Sequence, residues 1–422
     1  MKMPRQPTRE MPARLDPQPW MIARATRRVL RALARGGAEA RFVGGAVRDA
    51  LLGRAVADVD LATPAPPERV LTLLEAAGVK AVPTGLAHGT VTAVVPPRHF
   101  EITTLRVDVE PQGRRARVAF TEDWRADALR RDFTINALFL DPDGLIHDYV
   151  GGLTDLRAGR VRFVGDPETR IREDVLRLLR FYRFQAQLGW HRGDRAARAA
   201  CRDLAPLLPT LSAERVWSEL KKLLTAPDPL PTLRMMRRDG VLERVLPEAR
   251  QFGRLKSLLG VEPAPDAVLR LGALIEADAA GVAALALRLR LANIERDRLA
   301  ALAAAPWPVR LVDDRRQQRR ALFHLGAVHY RDLVLLRAAE RGASAKRRAR
   351  ALLAFAEKTT LPRFPVRGGD ILGAGVAPGP LVAELLRELS AWWEAHDFRP
   401  SRAQCLARLS AILAERAGNI AS

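Results

Sequence analysis

The stretch GGAVRDALLGRAVADVDLAT, residues 44–63, decides the fold of this chain. Its second half predicts a β-strand on which Asp58 and Asp60 share one face while Val59 points into the core, because successive side chains of a strand alternate. Its first half predicts a glycine turn that opens a helix over residues 46–52. The first N–H groups of a helix favour phosphate, so the stretch indicates a site for a phosphorylated ligand.

Two carboxylates a few ångströms apart repel each other unless a cation lies between them. Mg²⁺ prefers carboxylate oxygens together with the oxygens of phosphate groups. We therefore predict that Asp58 and Asp60 bind Mg²⁺. An exposed turn with two solvated aspartates is the plain alternative, and the glycine turn with Arg48 at a fixed distance weighs against it.

Length and charge restrict the kind of protein. The chain has 422 residues, too many for one compact core, and a formal net charge of +21. All but seven of its 69 basic residues are arginines, a bias that GC-rich coding can produce without any function. The excess over 48 acidic residues still predicts attraction to polyanions, with nucleic acid before a membrane surface.

Signals for export and for metal-binding cysteines are missing from the sequence. No apolar run approaches the roughly 20 residues that span a bilayer, and residues 1–19 lack the apolar segment of a secretory signal. Cys201 and Cys405 lie far apart and have no metal-ligand spacing. We expect a cytoplasmic protein without a membrane partner, and no protein partner is implied.

Strand-like and helix-like segments alternate to about residue 160, and the rest is almost wholly helical in pattern. This predicts the α+β class, with a mixed-sheet head followed by an all-α neck, body and tail. The expected boundaries are 20–155, 156–250, 251–360 and 361–422.

Two stretches have no sustained hydrophobic period. Residues 107–121 contain a proline, a glycine and a basic cluster, which predicts a mobile loop. Residues 361–380 are rich in proline and glycine, which predicts a hinge before the last two helices.

A second constellation is RRDFTINA, residues 130–137. Phe133, Ile135 and Ala137 alternate with polar residues, which predicts a half-buried strand. The two arginines at its start are suited to grip a triphosphate. A basic turn before an edge strand is an equally good explanation of this segment alone.

A third constellation is REDVLRLLRFYRF, residues 172–184, which predicts one helix with a charged row at every third position. Asp174 and Arg180 fall within an arc of about 120°, whereas Arg183 lies about 180° from Asp174, so one ligand group cannot contact the whole row. A solvated charged face is the common explanation. However, the three arginines of the row, which include Arg177, repel one another unless an acid or an anion satisfies them.

The motifs taken together resemble those of the class II CCA-adding enzymes, which are template-independent tRNA nucleotidyltransferases in one family with bacterial poly(A) polymerases. The resemblance is dense over residues 42–183 and weaker over 211–224 and 369–386. The motifs that carry it, in chain order, are GGAVRD (44–49), D-x-D (58–60), GLAHGT (85–90), EITTLR (101–106), RRDFTINA and REDVLRLLR (172–180).

The resemblance implies a role for each motif. Asp58 and Asp60 would hold two Mg²⁺ ions, which activate the tRNA 3′-hydroxyl and neutralise the triphosphate, and Glu101 would be a third catalytic carboxylate. The remaining residues would bind the incoming nucleotide. Gly45, Arg48 and Arg131 would contact its sugar and phosphates, Asp174 and Arg177 would read its base, and Arg180 and Arg183 would support the readers or reach phosphates.

Base selection by a carboxylate beside a guanidinium also follows from chemistry. Cytosine and adenine each offer an amino donor beside a ring-nitrogen acceptor, whereas uracil and guanine present the opposite order. A carboxylate and a guanidinium side by side therefore pair with C and A, and they are left unpaired against U and G. Residues 107–121 are the expected moving element between C and A addition, with Asp108 or Glu110 as latches.

The expected activity is therefore addition of C, C and A to tRNA from CTP and ATP, with pyrophosphate released. A poly(A) polymerase is the nearest alternative, because the catalytic head is shared. A CC-only or A-only tRNA nucleotidyltransferase is similar in kind. A non-catalytic tRNA-binding protein is opposed by the presence of Asp58, Asp60 and Glu101.

Overall fold

The computed structural model describes residues 13–110, 117–191, 193–342 and 345–420. These residues divide into two compact units. The first unit comprises the residues up to 250 and Arg288–Leu291, and the second comprises residues 251–287 and those from 292 onward. The division into head, neck, body and tail stays a prediction.

A mixed sheet forms the centre of the first unit. The strands are, in chain order, β1 (Arg41–Val43), β2 (Val59–Thr63), β3 (Lys80–Gly85), β4 (Thr90–Val95), β5 (Arg98–Thr104), β6 (Arg106–Glu110), β7 (Arg117–Phe120), β8 (Leu138–Leu140) and β9 (Ile146–Asp148). Seven of them lie in the order β3-β4-β5-β2-β1-β8-β9. Only β2 and β5 pair in parallel; the other pairs of the sheet are antiparallel.

Helices account for most of the remaining first unit. They are α1 (Pro19–Ile22), α2 (Arg24–Arg35), α3 (Gly45–Leu51), α4 (Pro67–Ala76), α5 (Trp124–Leu129), α6 (Gly152–Ala158), α7 (Pro167–Glu173), α8 (Leu176–Leu188), α9 (Arg195–Asp203), α10 (Ala213–Leu224), α11 (Leu230–Arg238) and α12 (Leu242–Val245). Aspartates begin several of them, because an aspartate side chain accepts from the free N–H groups of the first turn. Asp123, Asp166 and Asp194 do so for α5, α7 and α9.

The two faces of the sheet have different coverings. Phe42 and Val43 are neighbours on β1, so they point to opposite faces. Phe42 packs edge-on against Trp20, with ring centroids 4.8 Å apart. Val43 packs in a buried cluster with Ala62 of β2 and Phe139 of β8. Since Val43 lies directly opposite Asp60 in the β1–β2 pair, the Val43 face carries the predicted site.

The prediction of a loop over residues 107–121 is wrong for most of the residues of this stretch that the structure describes. β6 and β7 form an antiparallel ribbon there, in which Arg106 pairs with Phe120 and Val107 with Ala119. Both segments contain residue types that favour strands, namely the valines of β6 (RVDVE) and the valine and phenylalanine of β7 (RVAF). Residues 111–116 and the side chains of the predicted latches, Asp108 and Glu110, lie outside the described residues.

The strand predicted within RRDFTINA is also wrong. Residues Thr134–Asn136 form a 3₁₀ turn, and β8 begins only at Leu138. Polar partners allow Thr134 and Asn136 to be buried beside Ile135. The Thr134 hydroxyl donates to Asp155 at 2.6 Å, and the Asn136 amide donates to Asp132 at 3.1 Å. The alternation of apolar and polar residues predicted that only every second side chain would be buried. In the structure all three residues of the 3₁₀ turn are buried.

Replacing Asp155 with alanine is expected to lower the free energy of unfolding by roughly 1–3 kcal/mol. Its buried carboxylate accepts from Arg160 and Arg162, which are partly exposed, and from the buried hydroxyl of Thr134 at 2.6 Å, which loses this partner in the variant. Chemical denaturation measures the change. Asp143→Ala is the matched control, because Asp143 pairs with an arginine at the exposed surface and should change stability little. Equal effects of the two substitutions would contradict the argument.

The rest of the chain is helical. The helices are α13 (Phe252–Leu259), α14 (Ala267–Leu274), α15 (Ala279–Arg288), α16 (Asn293–Ala303), α17 (Arg315–Arg341), α18 (Lys346–Lys358), α19 (Gly368–Gly373), α20 (Pro380–Ala395) and α21 (Arg402–Ile420). α17 is kinked at Gly326, where φ is 71°. Over the described ranges, no helix combines the length and the apolar character that a bilayer crossing requires. The α+β class, with a mixed-sheet head and a helical remainder, is confirmed.

The predicted hinge at 361–380 is partly packed. It contains α19, whose Ile371 is fully buried in a cluster with Leu385 and Trp393 of α20 and Leu409 of α21. Cys405 belongs to the same cluster, and it is a free, buried thiol like Cys201.

Candidate active site

Strands β2 and β5 bring the predicted carboxylates together. Val59 is buried, as predicted. Asp58 is exposed just before β2, and Asp60 is half-buried on the face of β2 opposite to Val59. Asp60 and Glu101 lie directly beside each other in the parallel β2–β5 pair, so their side chains share a face. The charges of Glu101 and Asp58 both act on Asp60, so the three carboxylates are neighbours, although 40 residues of chain lie between Asp60 and Glu101.

Negative charge accumulates in this cluster and perturbs the pKa of one of its members. Burial, and then the negative charges of Glu101 and Asp58, raise the pKa of Asp60 from its usual 3.8 to about 6, and Arg131 only partly opposes them. A carboxylate with this pKa holds a proton at mildly acidic pH and becomes charged near neutrality. Such a perturbed group in a cluster of like charges is typical of functional sites.

The donor set fits a hard divalent cation that arrives with its substrate. Within the described ranges, no three Asp, Glu, His or Cys side chains form a ready-made metal cage. Mg²⁺ does not require one, because it is usually held by one or two carboxylates together with water and substrate phosphates. Asp58 and Asp60 supply that number of carboxylates.

In the presence of a metal chelator, Asp60→Asn is expected to melt at a higher temperature than the parent above about pH 7. Because the folded-state pKa of Asp60 is raised, its contribution to stability is complete below about pH 4 and is lost as the pH rises through about 6. The advantage of the variant should therefore disappear near pH 4. Thermal melts over this pH range test the prediction. The control is Glu75→Gln, which changes a carboxylate at an exposed position of α4. A variant less stable than the parent at neutral pH would contradict it.

The glycine turn before α3 has the predicted form. Gly44 has φ 70° and ψ −123°, a backbone conformation that favours glycine, and α3 begins at Gly45. Arg48 of α3 donates to both carboxylate oxygens of Asp49 at 2.9 Å and to the side-chain oxygen of Asn136 at 2.6 Å. Its guanidinium is therefore held in place on the first turns of the helix.

Arg131 is held by a buried acid that the sequence reasoning did not single out. Asp127 of α5 is 1% exposed, and it accepts from both Arg130 and Arg131 at 2.7 Å. Burial alone would raise the pKa of Asp127, but the charges of Arg131 and Arg130 hold it below its usual value. The guanidinium of Arg131 also lies 5.1 Å from the ring centre of Phe139, and its positive charge acts on Asp60.

Asp132 joins two of the predicted nucleotide-binding residues through Asn136. The carboxylate of Asp132 accepts from the Arg180 Nε at 2.8 Å and from the Asn136 amide at 3.1 Å, and Asn136 in turn accepts from Arg48. Burial alone would raise the pKa of Asp132, but Arg180 and the other donors hold it below its usual value. Arg180 is thus tied to the turn that precedes β8.

The single helix predicted for residues 172–184 is wrong, because the chain breaks at Asp174. α7 ends at Glu173, Asp174 is extended with φ −149° and ψ 104°, and α8 begins at Leu176. The Asp174 carboxylate accepts from the Leu176 N–H at 3.2 Å and from Arg215 of α10 at 2.8 Å. An aspartate that bonds to the backbone two residues ahead favours such a break.

The rest of the predicted row meets a different acid at each position. Arg177 pairs with Glu173 and donates to the carbonyl of Arg170 at 3.0 Å. Arg183 pairs with Glu219 of α10 at 2.6 Å and is nearly buried. The structure therefore satisfies the arginines of the row with acids, and it does not gather Asp174, Arg177, Arg180 and Arg183 around one point.

Sequence reasoning missed the acids and the arginine that hold this row. Asp132 lay within RRDFTINA and Glu173 within REDVLRLLR, while Arg215 and Glu219 lay within the stretch 211–224 that carried weak similarity. A signal was therefore present for all four. Arg215 lines a cleft of about 520 Å³ next to Asp174. The lining residues are Leu176, Ser212, Glu214, Arg215, Ser218, Glu219 and Lys222.

Comparison with known families places the first unit in a class. The family described as "Poly A polymerase head domain" matches residues 40–162, which include the three carboxylates and the glycine turn. The family described as "Probable RNA and SrmB- binding site of polymerase A" matches residues 194–252, which include α10. The first unit thus contains a stretch similar to the head domain of poly(A) polymerases, followed by a helical stretch similar to a second region of the same class of proteins.

Whole-chain relatives define the family more closely. CCA tRNA nucleotidyltransferase 1, mitochondrial, of Mus musculus is 34% identical over 87% of this chain and 86% of its own length. The CCA-adding enzyme of Bacillus licheniformis is 38% identical over 57% of each chain. The crystal structure of the Bacillus stearothermophilus CCA-adding enzyme in complex with CTP is 30% identical, with a TM-score of 0.72 over 93% of this chain and 97% of that one. This chain belongs to the CCA tRNA nucleotidyltransferase family, and it is an enzyme of that class.

The comparison also corrects one prediction. We expected a cytoplasmic location from the absence of an export signal. The Mus musculus relative, which matches over most of both chains, is named as a mitochondrial protein, so the cytoplasmic prediction is wrong on this comparison. An N-terminal sequence with few apolar residues was a poor guide to location.

Proposed function

We propose that this chain adds C, C and A to the 3′ end of tRNA, taking the nucleotides from CTP and ATP without a nucleic-acid template. The observation that carries the proposal is the pairing of Asp60 with Glu101 on adjacent parallel strands, beside Asp58 and under the positive charge of Arg131. Membership of the CCA tRNA nucleotidyltransferase family supports the choice of product.

Each addition is a nucleotidyl transfer. The tRNA 3′-oxygen forms a bond to the α-phosphorus of the nucleotide, the bond from that phosphorus to the β-phosphate breaks, and pyrophosphate leaves with the electron pair. Mg²⁺, when bound, neutralises the triphosphate and lowers the pKa of the attacking hydroxyl. Asp58 and Asp60 would hold the metal, and Glu101 adds a third negative charge beside them.

The nucleotide's sugar and phosphates would lie between the glycine turn and the turn before β8. Gly45 carries no side chain to block an approach, and Arg48 and Arg131 supply positive charge from two sides. Both arginines are already fixed by carboxylates, Asp49 and Asp127. Groups fixed before binding lose little conformational entropy when the triphosphate arrives.

Asp174 and Arg177 would read the base edge. Because Asp174 lies in the break between α7 and α8, its carboxylate is set by Arg215 and not by the helix alone. Arg180 and Arg183 would support the reader, since their acid partners tie α8 to the head and to α10. The position of the base-reading pair then depends on α8, the head and α10 together, and not on one helical face.

The helical remainder would hold the tRNA acceptor arm. We propose the divisions 156–250, 251–360 and 361–422 for neck, body and tail, with the tail as a tRNA-binding element. The net charge of +21 supports contact with a long polyanion.

The test is an incorporation assay. Purified protein is given tRNA that lacks its CCA end, with labelled CTP, ATP, UTP and GTP supplied singly and in combination. The expected result is two additions of C with CTP alone, one further A when ATP is present, and no extension by UTP or GTP.

The alternatives give different products. A poly(A) polymerase would add many A residues without prior C, and a CC-only or A-only enzyme would stop after part of the sequence. A protein that binds the tRNA and incorporates no nucleotide would overturn the proposal.

A further inference from the structure

Helix α2 carries a row of arginines on its solvent face. Its sequence is RATRRVLRALAR, and its buried side is made by Thr26, Val29, Ala32 and Leu33. The arginines occupy the opposite side and are all exposed. They are Arg24, Arg27, Arg28, Arg31 and Arg35.

No acidic side chain offsets this row within the part of the chain that the structure describes. α2 itself contains no acidic residue, and none of its five arginines forms an ion pair with a described residue. Among these five, and over the same described residues, only the Arg28 side chain makes a hydrogen bond, to the carbonyl of Gly78 at 2.7 Å. Neighbours three or four positions apart along the row are like charges, which destabilise an isolated helix.

The arginine-rich helix α8 shows that a general arginine bias does not explain the row. There Arg177, Arg180 and Arg183 each meet a carboxylate, of Glu173, Asp132 and Glu219 respectively. A coding bias toward arginine would affect both helices alike. The structure pairs the arginines of α8 and leaves those of α2 to solvent.

The arginine row lies away from the carboxylates of the active site. α1, which leads into α2, packs Trp20 against Phe42, and Phe42 points to the face of the sheet opposite Val43 and Asp60. α2 then packs against α4, with Leu73 of α4 close to Gly36 at the end of α2. The 3′ end of an RNA that reacts at Asp60 is therefore not the segment of that RNA that contacts α2.

We propose that the exposed face of α2 is a second RNA-docking surface, which binds the phosphate backbone of RNA without reading its sequence. The row spans about 16 Å and presents positive charge at steps of about 5–6 Å, which suits a chain of phosphates. A basic stripe along one helix is the usual footprint of backbone binding. The occupant is the tRNA substrate itself, at a part of its backbone away from the 3′ end, because α2 belongs to the same compact unit as the active-site carboxylates. The choice of RNA among polyanions rests on the proposed function.

The test neutralises the row in the full-length protein. The variant Arg24→Gln, Arg27→Gln, Arg31→Gln removes three positive charges from the exposed face. The control variant Arg14→Gln, Arg290→Gln, Arg296→Gln removes three exposed arginines that already have acid partners. Circular dichroism and thermal melts verify that both fold.

Binding is measured over a series of salt concentrations with three probes: tRNA without its CCA end, poly(U), and anionic phospholipid vesicles. The α2 variant should reduce the slope of log affinity against log salt by about two to three for RNA, because each lost phosphate contact removes roughly 0.7–0.9. The control should leave the slope within about one of the parent. A reduced slope for tRNA supports the proposal, whereas a reduced slope for poly(U) alone would show that a different RNA binds α2 and would overturn it.

Two further outcomes overturn the proposal: unchanged slopes for both RNA probes, or a loss that is confined to the vesicles. The KM for CTP is measured in parallel and should match the parent, whereas the KM for tRNA should rise. Failure of CCA addition in the parent enzyme with a reduced RNA slope in the variant would overturn the proposed function alone. Unchanged slopes with normal CCA addition would overturn this inference alone.

Discussion

Asp60→Asn is expected to abolish the addition of both C and A, with a loss of at least about a thousandfold in kcat, while tRNA binding stays nearly unchanged. In the proposed mechanism each addition would use the same metal, and losing the charge stabilisation that a metal supplies costs several kcal/mol of transition-state energy. Asp58→Asn should behave in the same way. The measurement is single-turnover incorporation of labelled CTP, and of ATP on tRNA ending in CC, together with tRNA affinity.

The matched control for this pair is Asp49→Asn. Asp49 is a nearby carboxylate that pairs with Arg48 and does not belong to the metal group. Its loss should weaken nucleotide binding through Arg48 and should leave a measurable rate at saturating CTP. If Asp58→Asn or Asp60→Asn keeps about a tenth of the parent rate, the metal assignment is wrong.

Asp174→Ala is expected to collapse the discrimination between CTP and UTP. Losing a charge-assisted hydrogen bond costs roughly 2–3 kcal/mol for the correct base, which is about 30- to 150-fold in kcat/KM. The same change removes the repulsion between the carboxylate and the carbonyl of uracil. The measurement is kcat/KM for CTP and for UTP on tRNA ending at the discriminator base. The ratio of the two values should fall by a larger factor than kcat/KM for CTP itself falls.

Two further variants separate base reading from structural support. Asp174→Asn keeps the size of the side chain and gains an N–H donor, so it should admit UTP better than alanine does. Arg180→Ala removes the partner of Asp132 and should slow all nucleotides together without a change in the ratio. An unaltered CTP-to-UTP ratio in both Asp174 variants would mean that the base reader lies on another element.

The sequence predicts those parts of the fold that depend on local alternation and on glycine. The position of Val59 between Asp58 and Asp60 follows from the two-residue period of a strand, and the positive φ of Gly44 follows from the turn that the double glycine indicates. The adjacency of Asp60 and Glu101 follows only from the family resemblance. It arises from parallel pairing over a distance of 40 residues, and no local pattern encodes that pairing.

The errors arise where a polar side chain bonds to the backbone or to a distant partner. Asp174 has a regular place in the three-residue charge row, yet its carboxylate accepts from the Leu176 N–H and from Arg215 and ends the helix there. Thr134 alternates as a strand residue would, yet its hydroxyl is satisfied by Asp155, so it can be buried in a 3₁₀ turn. Periodicity cannot anticipate partners that lie 21 and 41 residues away.

The two free cysteines offer a route to spectroscopy on this enzyme. Cys201 and Cys405 are both fully buried, and burial raises the pKa of each thiol, so neither forms the reactive thiolate readily. A thiol-reactive fluorophore or spin label added to the folded protein should therefore leave the natural cysteines unmodified. One cysteine introduced at Phe120, the exposed end of β7, and a second on the outer face of α2 would carry the only labels. Any change in the distance between the β6–β7 ribbon and α2 could then be measured as CTP and ATP are added in turn, without first removing either native cysteine.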